Sequence, residues 1–330
     1  MAINIDVLIK LGVLIFCTGC AQPSMSPPDR LIYIEGKELT SGRFGDLAVL
    51  GPNITGKYVL NRDSFYDSWP VLIDSSQAIF LSKRREGDKQ LGLSKHDDLY
   101  LYKNNSINSL FSWTEENIIH FYHFDNNFQT VLFKKSVLKT TGPEHEIIQQ
   151  NIADSSERKI IYQYGFDVQV VKVPENEEFL LLEKRFFFKL PYFGKLYLYN
   201  VEKETEHEVL ASRVDLELGL LADIDCMAGD FVSDNKFLFS CISYRDNSSI
   251  IFSYTINDES VNEIFRTNEL AIRNPVSNYS SQKIYFLARP FDTDDLYENI
   301  WMIDKDGAPK DSAVQLTNSR LNKDWLQIEN

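Results

Sequence analysis

One phrase of twelve residues occurs twice in this chain. The first copy, PVLIDSSQAIFL, runs from Pro70 to Leu81, and the second, PVSNYSSQKIYF, runs from Pro275 to Phe286. Pro, Val, Ser, Ser, Gln and Ile recur at identical spacing, 205 residues apart. A sequence repeat at so long an interval predicts a repeating architecture, which is the strongest constraint on the fold of this chain.

Strand patterns fill the units between the two copies. Short β-branched and aromatic runs such as DLYLYK, SIIFSYTI and NIWMID, mostly bounded by Asn, Asp, Ser or Gly, are typical of strands joined by turns. A period of about 50 residues with about four strands per unit predicts a β-propeller, whose blades are four-stranded sheets. When the other units are aligned on the isoleucine of the phrase, apolar strand starts recur every 47 to 58 residues, at Ile32, Ile79, Val131, Phe179, Phe237 and Ile284.

The two ends of the chain complete the ring. The C-terminal LNKDWLQIEN begins a unit and stops before its turn, while the N-terminal RLIYIEG, GDLAVLG and GKYVLNR supply three strands that lack a first. We therefore predict an all-β, six-bladed β-propeller over residues 31–330, closed by pairing of the C-terminal strand with the N-terminal blade, because closure leaves no inner edge unpaired. A β-sandwich is the alternative, but its repeats are shorter. We expect the Pro, Val and Ile of the phrase to hold equivalent places in blades 2 and 6.

The N-terminus predicts export. An apolar core from Leu11 to Phe16 follows Lys10 and leads into small residues, as in a secretory signal peptide. This core is far shorter than the roughly 20 apolar residues that cross a bilayer, so a transmembrane helix is disfavoured.

The stretch FCTGC resembles the lipobox of bacterial lipoproteins, although Cys17 stands where leucine is usual. That resemblance implies a signal peptide over residues 1–19, a lipidated Cys20 carrying palmitate, and a tether over residues 20–30. The alternative is an ordinary cleaved signal with an unmodified cysteine. Ala21, rather than aspartate, follows Cys20, which favours the outer membrane under enteric sorting. We expect a lipid-anchored protein of the bacterial cell envelope that faces the periplasm.

The charge of the chain limits its partners. The net charge is −14, and removal of the signal takes Asp6 and Lys10 together, so the mature chain keeps it. Nucleic acid needs a basic face and is excluded as a partner, and contact with the membrane is expected through the lipid anchor only. With 43% hydrophobic residues the chain can bury a large core.

Two cysteines remain in the predicted mature domain. Cys226 and Cys241 flank a Ser-Asp-Asn-Lys turn, and a hairpin centred on Asp234 and Asn235 places them across from each other within one or two residues. In an oxidising compartment a disulfide is plausible. The alternative is a pair of buried small hydrophobic residues, and a cysteine nucleophile is disfavoured because no spacing ties a histidine or asparagine to either one.

The last unit carries a family resemblance. NPVSNYSSQKIYFLA, followed by NIWMIDKDG and VQLTN, resembles the TolB-type (PD40) propeller repeat, in which a Pro-x-x-Ser-Pro-Asp-Gly turn precedes a strand, then Ile-Trp-x-x-Asp, Gly and Leu-Thr. Ser-Ser-Gln stands here where the family has Pro-Asp-Gly. The resemblance implies a propeller but specifies no active site, since such repeats occur in periplasmic scaffolds, in peptidase accessory domains and in carbohydrate-active enzymes.

Candidate chemical motifs are weak. GPNITGKY matches a phosphate-binding loop but lacks the final Ser or Thr and the following helix, so we interpret it as a turn in blade 1. In HFYHFD, His120 and His123 are expected on opposite faces of a strand unless the chain bends there, and Asp125 shares a face with His123. DKDG before Ala308 is interpreted as a hairpin turn rather than a calcium loop. We predict no metal site and no cofactor.

Two loops stand out as candidate binding segments. KRFFFKLPYFGK, between two strands of blade 4, has more aromatic mass than one strand face can bury, and aromatic rings rimmed by cations are typical of interface hot spots. RPFDTDDLYEN in blade 6 is acidic, and such a run is more often a solvated loop than a binding site. The candidate partner-binding residues are Arg185, Phe186, Phe187, Phe188, Tyr192 and Phe193, and the acidic loop contains Asp292, Asp294 and Asp295.

The motifs favour binding over catalysis. No recognisable nucleophile, zinc or paired-carboxylate motif occurs in the sequence. We expect a monomeric scaffold that binds an envelope protein or a peptide without catalysing a reaction. The alternative is a carbohydrate-active enzyme or a glycan-binding module that uses the central channel, and it requires polar side chains from three or more blades at one mouth of that channel.

Overall fold

The computed structural model describes most of the chain from residue 27 onward. The described residues are 27–36, 45–52, 58–60, 67–74, 77–82, 98–112, 118–124, 130–139, 142–151, 154, 157–164, 168–172, 178–185, 194–209, 224–243, 246–292, 297–306 and 313–329. In these ranges no helix is long and apolar enough to cross a membrane. The described strands, in chain order, are β1 (Leu31–Gly36), β2 (Asp46–Leu50), β3 (Tyr58–Val59), β4 (Asp67–Asp74), β5 (Gln77–Ser82), β6 (Asp98–Lys103), β7 (Ser106–Phe111), β8 (Ile118–Phe124), β9 (Thr130–Lys139), β10 (Gly142–Asn151), β11 (Arg158–Tyr164), β12 (Val168–Lys172), β13 (Phe179–Arg185), β14 (Gly194–Asn200), β15 (Thr205–Glu208), β16 (Ile224–Ser233), β17 (Lys236–Ser243), β18 (Ser248–Thr255), β19 (Ser260–Thr267), β20 (Leu270–Val276), β21 (Lys283–Pro290), β22 (Asn299–Asp304), β23 (Val314–Gln315) and β24 (Asn322–Ile328).

These strands form six antiparallel sheets of four strands each, which are the blades. Blade 1 has the order β24-β1-β2-β3, and blades 2 to 6 take β4–β7, β8–β11, β12–β15, β16–β19 and β20–β23. The first strand of a blade contacts the first strands of its neighbours: β4 contacts β24 and β8, and β20 contacts β16 and β24. These strands therefore line the centre of a ring, and the predicted all-β, six-bladed propeller is confirmed.

The ring closes through its two termini, as predicted. In the pairing of β24 with β1, Ile34 lies opposite Asp324 and Glu35 lies opposite Lys323. Beyond the strand, the backbone N–H of Glu329 donates to the carbonyl of Arg30 at 3.0 Å. The last strand of the chain is thus the innermost strand of the first blade, and no blade lacks its fourth strand.

Each seam between neighbouring blades holds one hydrophobic cluster of described residues. Successive side chains of a strand point to opposite faces of the sheet. Alternate residues in the second strand of a blade therefore pack against the preceding and the following blade. In β5, Phe80 packs toward blade 1, while Ile79 packs toward Val131 and Phe133 of blade 3. Full burial of a phenylalanine contributes about 1.5–3 kcal/mol, and Phe80 and Phe133 are fully buried.

The regularly spaced apolar positions identified in the sequence all lie in the same strand of their blades. Ile32, Ile79 and Val131 lie in β1, β5 and β9, which are the second strands of blades 1, 2 and 3. The anchors in blades 4 to 6 lie in β13, β17 and β21, again the second strands. The predicted period therefore corresponds to one blade.

Both copies of the repeated phrase begin at a bulge in an innermost strand. Trp69 precedes Pro70 in β4 and has a φ of 51°, and Asn274 precedes Pro275 in β20 and has a φ of 49°. The pairing with the second strand shifts at both places, which suits proline because its nitrogen cannot donate to the ladder. Next to the second bulge, a Cβ on Gly229 would lie 2.4 Å from the carbonyl oxygen of Pro275, so only glycine fits where β16 passes β20.

After the bulge the two copies diverge, and the expected equivalence of their isoleucines is wrong. Val71 pairs with Ile79, whereas Val276 pairs with Tyr285 rather than Ile284. A shift of one residue turns every side chain to the other face of a strand. Ile79 accordingly faces the next blade, while Ile284 packs in the cluster shared with the preceding one.

The turn of the second copy binds both ends of the chain. Asp29 accepts hydrogen bonds from the hydroxyls of Ser281 at 2.7 Å and Tyr285 at 2.6 Å. The side-chain amide of Asn278 donates to the carbonyl of Glu329. Residues 277–282 therefore join β20 to β21 and also form hydrogen bonds that help to close the ring.

Cys226 and Cys241 are linked by a disulfide. Cys226 of β16 and Cys241 of β17 are direct register partners, and their sulfurs are bonded. Both side chains are buried in the cluster between blades 4 and 5. The hairpin turn at Asp234 and Asn235 places the cysteines opposite each other.

Candidate functional site

One face of the ring, called here the upper face, is where the innermost strands begin. In blade 6 the first residue of β20, Leu270, pairs with Pro290 at the end of β21. The second strand of every blade therefore ends at the upper face, and so do the flanks of both loops singled out in the sequence. Those flanks are Arg185 and Gly194 in blade 4 and Pro290 and Asn299 in blade 6.

Near the flank of the loop in blade 4 lies a row of tyrosines. The row is at the interface of blades 3 and 4, called here the 3/4 seam. Tyr162 of β11 packs against Tyr199 of β14 with ring centroids 4.5 Å apart, and against Tyr164 at 5.6 Å. Tyr162 and Tyr164, like Tyr197 and Tyr199, are two residues apart on a strand, so each pair shares one face. The described members of the 3/4 seam are Lys134, His145, Tyr162, Tyr164, Lys184, Tyr197, Tyr199 and Glu206.

Ion pairs hold the outer part of the 3/4 seam in place. The Lys184 ammonium donates to Glu206 at 2.7 Å and lies 4.5 Å above the ring of Tyr197. Glu206 also accepts from the Tyr162 hydroxyl at 2.9 Å, which joins blade 3 to blade 4. The exposed fractions are 12% for the Lys184 side chain and 37% for Glu206, so this region is accessible but ordered by its own contacts.

Beside this row, Lys195 and Glu208 extend the surface. Lys195 lies next to Gly194 in β14, its side chain is 50% exposed, and its ammonium donates to Glu208 at 2.8 Å. Half-buried tyrosines with charged rims combine apolar area with hydrogen-bonding groups, as interface hot spots do. Since the surface lies at the described end of β13, it adjoins the segment that the sequence proposed for partner binding.

The inner part of the 3/4 seam buries two further titratable groups. Lys134 lies over the ring of Tyr164 at 5.2 Å, and burial lowers its pKa to about 8. His145 lies beside the same ring at 5.3 Å, and burial together with the positive charge of Lys134 lowers its pKa to about 4. Burial disfavours the charged form of both groups, so at neutral pH His145 is neutral, whereas Lys134 keeps most of its charge.

A second polar group of residues lies where the ring closes, at the interface of blades 6 and 1, called here the 6/1 seam. The guanidinium of Arg273 donates to Glu298, to Asp324 at 3.0 Å and to the carbonyl of Lys323 at 2.9 Å. Burial alone would lower the pKa of Arg273, but Asp324 and Glu298 outweigh it and hold the pKa above its usual value. The described members of the 6/1 seam are Asp29, Arg273, Ser281, Tyr285, Glu298, Lys323 and Asp324.

Lys323 is almost completely buried at this seam. Its ammonium donates to oxygens of Ser319 at 2.9 Å, Leu321 at 3.1 Å, and Glu298 and Asn299 at 3.2 Å each. Four acceptors satisfy the three protons of a lysine. The charge of Lys323 is therefore satisfied by neutral oxygens inside the protein, which is the arrangement of a structural network.

The residues singled out in the sequence fall partly outside the described ranges. Cys20, residues 186–193, and Asp294 and Asp295 lie outside them, and of Arg185 only the backbone is described. Asp292 is exposed in the turn after β21. The disulfide partners Cys226 and Cys241 are described and bonded.

The two histidines lie in a bulged part of β8. Strand alternation alone would place His120 and His123 on opposite faces, but β8 is bulged, and His120 pairs with Lys134 while His123 pairs with Leu132. These partners are two residues apart on β9 and share one face, so the simple alternation argument fails across the bulge. The two side chains and Asp125 lie outside the described part, and within that part no cluster of three or more His, Cys, Asp or Glu could hold a metal ion.

Sequence reasoning missed the tyrosines of the 3/4 seam. The signal was present, because IIYQYG and KLYLYN each carry tyrosines two residues apart, and such a pair on a strand forms an aromatic face. What the sequence did not show is that the two faces meet. Tyr162 and Glu206 are 44 residues apart and lie in different blades.

Comparison with known proteins shows the fold. No protein-family model and no curated protein sequence matches the chain. The structure of TolB from Acinetobacter baumannii superposes with a TM-score of 0.62 at 13% identity, over 91% of this chain and 66% of that one. An oligogalacturonate lyase from Vibrio parahaemolyticus superposes with a TM-score of 0.54 at 9% identity, over 88% of this chain and 79% of that one. Hydrazine synthase from Kuenenia stuttgartiensis gives 0.57 at 8% identity, over 92% and 47%.

At these identities the likeness concerns architecture. The chain is a TolB-like propeller in fold, and it spans less than two thirds of the length of that TolB structure. The neighbours differ in function, because one architecture can present unrelated sites.

Proposed function

We propose that this protein is a lipid-anchored propeller of the bacterial cell envelope that binds another envelope protein or a peptide without catalysing a reaction. The observation that carries the proposal is the tyrosine row of the 3/4 seam, which involves the outermost strands of blades 3 and 4. Tyr162 and Tyr197 are half-buried, and their hydroxyls are oriented by Glu206 and Glu208. A rigid aromatic surface with satisfied polar groups binds a partner at a small entropic cost.

The proposed binding surface combines this row with the aromatic segment that follows Arg185. Lys184 and Lys195 flank that segment, and both are held by carboxylates of β15. Phe186, Phe187, Phe188, Tyr192 and Phe193 would supply the apolar centre, and the ion pairs the rim. An interface with an apolar centre and a polar rim is the usual anatomy of a protein-binding site.

Export and anchoring belong to the same proposal. The Cys226–Cys241 disulfide supports an oxidising compartment, where such bonds persist. Acylation of Cys20 would then hold a monomeric propeller at the outer membrane, facing the periplasm, on the tether of residues 20–30. We expect Cys20→Ser to release the mature chain from membranes, and unchanged membrane fractionation would contradict the anchor.

The second candidate is a glycan-binding module or carbohydrate-active enzyme. It draws on the fold shared with the oligogalacturonate lyase and would place its site in the central channel. The charged side chains around Arg273 come from blades 6 and 1 and are committed to each other. The binding proposal is therefore preferred, and the experiment below separates the two.

The test is site-specific photocrosslinking in cells. A photoreactive residue in place of Lys195, at the proposed surface, should capture an envelope protein, whereas one in place of Asp258, in the exposed turn after β18, should not. We expect the double variant Tyr162→Ala and Tyr197→Ala to reduce capture about tenfold or more, as the loss of hot-spot residues does.

Mass spectrometry of the captured material decides between the candidates. Capture that is equal at the two positions, or unaffected by the tyrosine substitutions, would contradict the proposed surface. Specific retention of a sugar by the purified chain, with no captured protein, would favour the glycan-binding candidate.

A further inference from the structure

A cleft of ≈ 230 Å³ lies between blades 5 and 6 at the lower face, away from the 3/4 seam. Its volume equals that of several water molecules, each of which takes about 30 Å³ in the liquid. Blade 5 lines it with residues of β16, β17, β18 and β19, and blade 6 contributes the turn after β22. The described lining residues are Val232, Lys236, Leu238, Ser253, Asn262, Glu263, Ile264, Lys305 and Asp306.

Two lysines from different blades face this cleft. The Lys305 ammonium donates to the carbonyls of Asn278 at 2.8 Å and Ser281 at 3.1 Å, so the turn of the repeated phrase holds it in position. Lys236 is the first residue of β17, and its ammonium makes no ion pair or hydrogen bond to a described residue. Burial and then the charge of Lys236 lower the pKa of Lys305, against the opposing effects of Asp306 and Asp29. The two cations are therefore close enough to repel each other.

The acidic residues of the lining offset the charge of this pair only in part, since the net shift of the Lys305 pKa is still downward. Glu263 is bound by the guanidinium of Arg266 through two hydrogen bonds, at 3.1 and 2.5 Å. Asp306 is exposed at the rim. A bound anion between Lys236 and Lys305 would relieve their repulsion, and charge-assisted hydrogen bonds are about twice as strong as neutral ones.

The rest of the lining indicates what carries the anion. Val232, Leu238 and Ile264 form an apolar wall beside the lysines. Inorganic phosphate would leave that wall without a partner, whereas an apolar carboxylate would cover it. The Asn262 amide offers a donor and an acceptor next to the wall, as the amide bond before a terminal residue requires.

We propose that this cleft binds the carboxyl terminus of a peptide, with the carboxylate between Lys236 and Lys305 and an apolar terminal side chain against Val232, Leu238 and Ile264. The site is separate from the 3/4 seam and does not depend on the function proposed for that surface. It gives the chain a second place of contact, at a different seam of the ring.

The test compares three probes on the purified mature chain. The probes are the peptide acetyl-Gly-Ala-Leu with a free carboxylate, the same peptide as its carboxamide, and the small acid 4-methylpentanoate. Calorimetry measures affinity, and the methyl signals of Val232, Leu238 and Ile264 in NMR spectra locate the binding. We expect the carboxamide to bind about tenfold more weakly or not at all, since hydrogen bonds to charged groups contribute about 1.5–3 kcal/mol.

Two variants check the assignment of the lysines. Lys236→Gln removes a cation that holds no described part of the fold, and it should weaken binding about tenfold without changing the thermal unfolding temperature. Lys283→Gln is the matched control, because Lys283 pairs with Asp304 and does not line the cleft, and it should leave binding unchanged.

Three outcomes would overturn the proposal. They are equal binding of the carboxylate and the carboxamide, an unchanged affinity in Lys236→Gln, and methyl shifts outside the cleft. Binding of 4-methylpentanoate as tight as that of the peptide would overturn the peptide as the source of the carboxylate.

Discussion

Two seams of the ring bury cations in opposite ways. At the 6/1 seam Arg273 lies between Glu298 and Asp324, which hold its pKa above the usual value. At the 3/4 seam Lys134 lies over the ring of Tyr164, and burial lowers its pKa to about 8. Breaking a buried ion pair is strongly destabilising, whereas an unpaired buried cation is itself a cost.

This difference in how the cations are buried indicates that the two seams have different roles. The 6/1 seam joins the ends of the chain and is arranged for closure. The 3/4 seam carries the tyrosine surface and buries Lys134, which keeps most of its charge at pH 7 although burial disfavours that charge, and this costs stability. Residues that cost stability occur where a function retains them, so the comparison supports the 3/4 seam as the functional one.

Loss of the guanidinium at the 6/1 seam should have the largest effect. Arg273→Met leaves Glu298 and Asp324 close together without a cation, and we expect the free energy of unfolding to fall by about 2–4 kcal/mol, because the site is only partly buried. Urea denaturation measures the change. The control is Arg266→Met, which removes a surface pair with Glu263 and should cost at most about 0.5 kcal/mol. Equal costs for the two variants would erase the distinction between the seams.

Acid should destabilise the protein through the 3/4 seam. The pKa of His145 is lowered from 6.5 to about 4, so the unfolded chain binds more protons than the folded one between those values. Stability therefore rises with pH in this window and is lost as the pH falls through it. From pH 7 to pH 5 we expect His145 to account for a loss of about 2 kcal/mol.

Denaturation of the wild type and of His145→Gln at both pH values isolates this contribution from the carboxylates. The drop from pH 7 to pH 5 should be smaller in the variant. A drop of the same size in both proteins would show that His145 is not the group that titrates.

Substitution of the buried lysine at each seam should change the free energy of unfolding in opposite directions. Lys134→Met removes a poorly solvated cation, and at pH 7 we expect a gain of about 1 kcal/mol, since relief from desolvation exceeds the lost contact with Tyr164. Lys323→Met should instead cost about 1–3 kcal/mol, because it leaves buried oxygens without their donor. Thermal and urea unfolding check both signs. Losses in both variants would mean that the two buried lysines are equivalent.

Much of the fold was accessible from the sequence because its signals are local. The alternation of apolar residues located the second strand of each blade, from Ile32 to Ile284, and the unfinished units at both ends predicted ring closure. The Asp234 and Asn235 turn indicated that Cys226 lies opposite Cys241, whereas the sequence left open whether the two are bonded. Each of these inferences uses residues that are neighbours along the chain or repeats of one local pattern.

The candidate sites were mostly not accessible, since they join distant parts of the chain. Tyr162 meets Glu206 across 44 residues, and Arg273 meets Asp324 across 51. Such contacts depend on the angle at which neighbouring blades pack. No local pattern encodes that angle.

The sequence by itself determined the number of blades and the way in which the ring closes. Only the tertiary structure decided which face each side chain presents. The two copies of the phrase show the reason: they share the bulge at Pro70 and Pro275, but different turns shift the register by one residue, so Ile79 and Ile284 face opposite neighbours. Side chains alternate with a period of two, and a shift too small to alter the repeat is enough to change every contact.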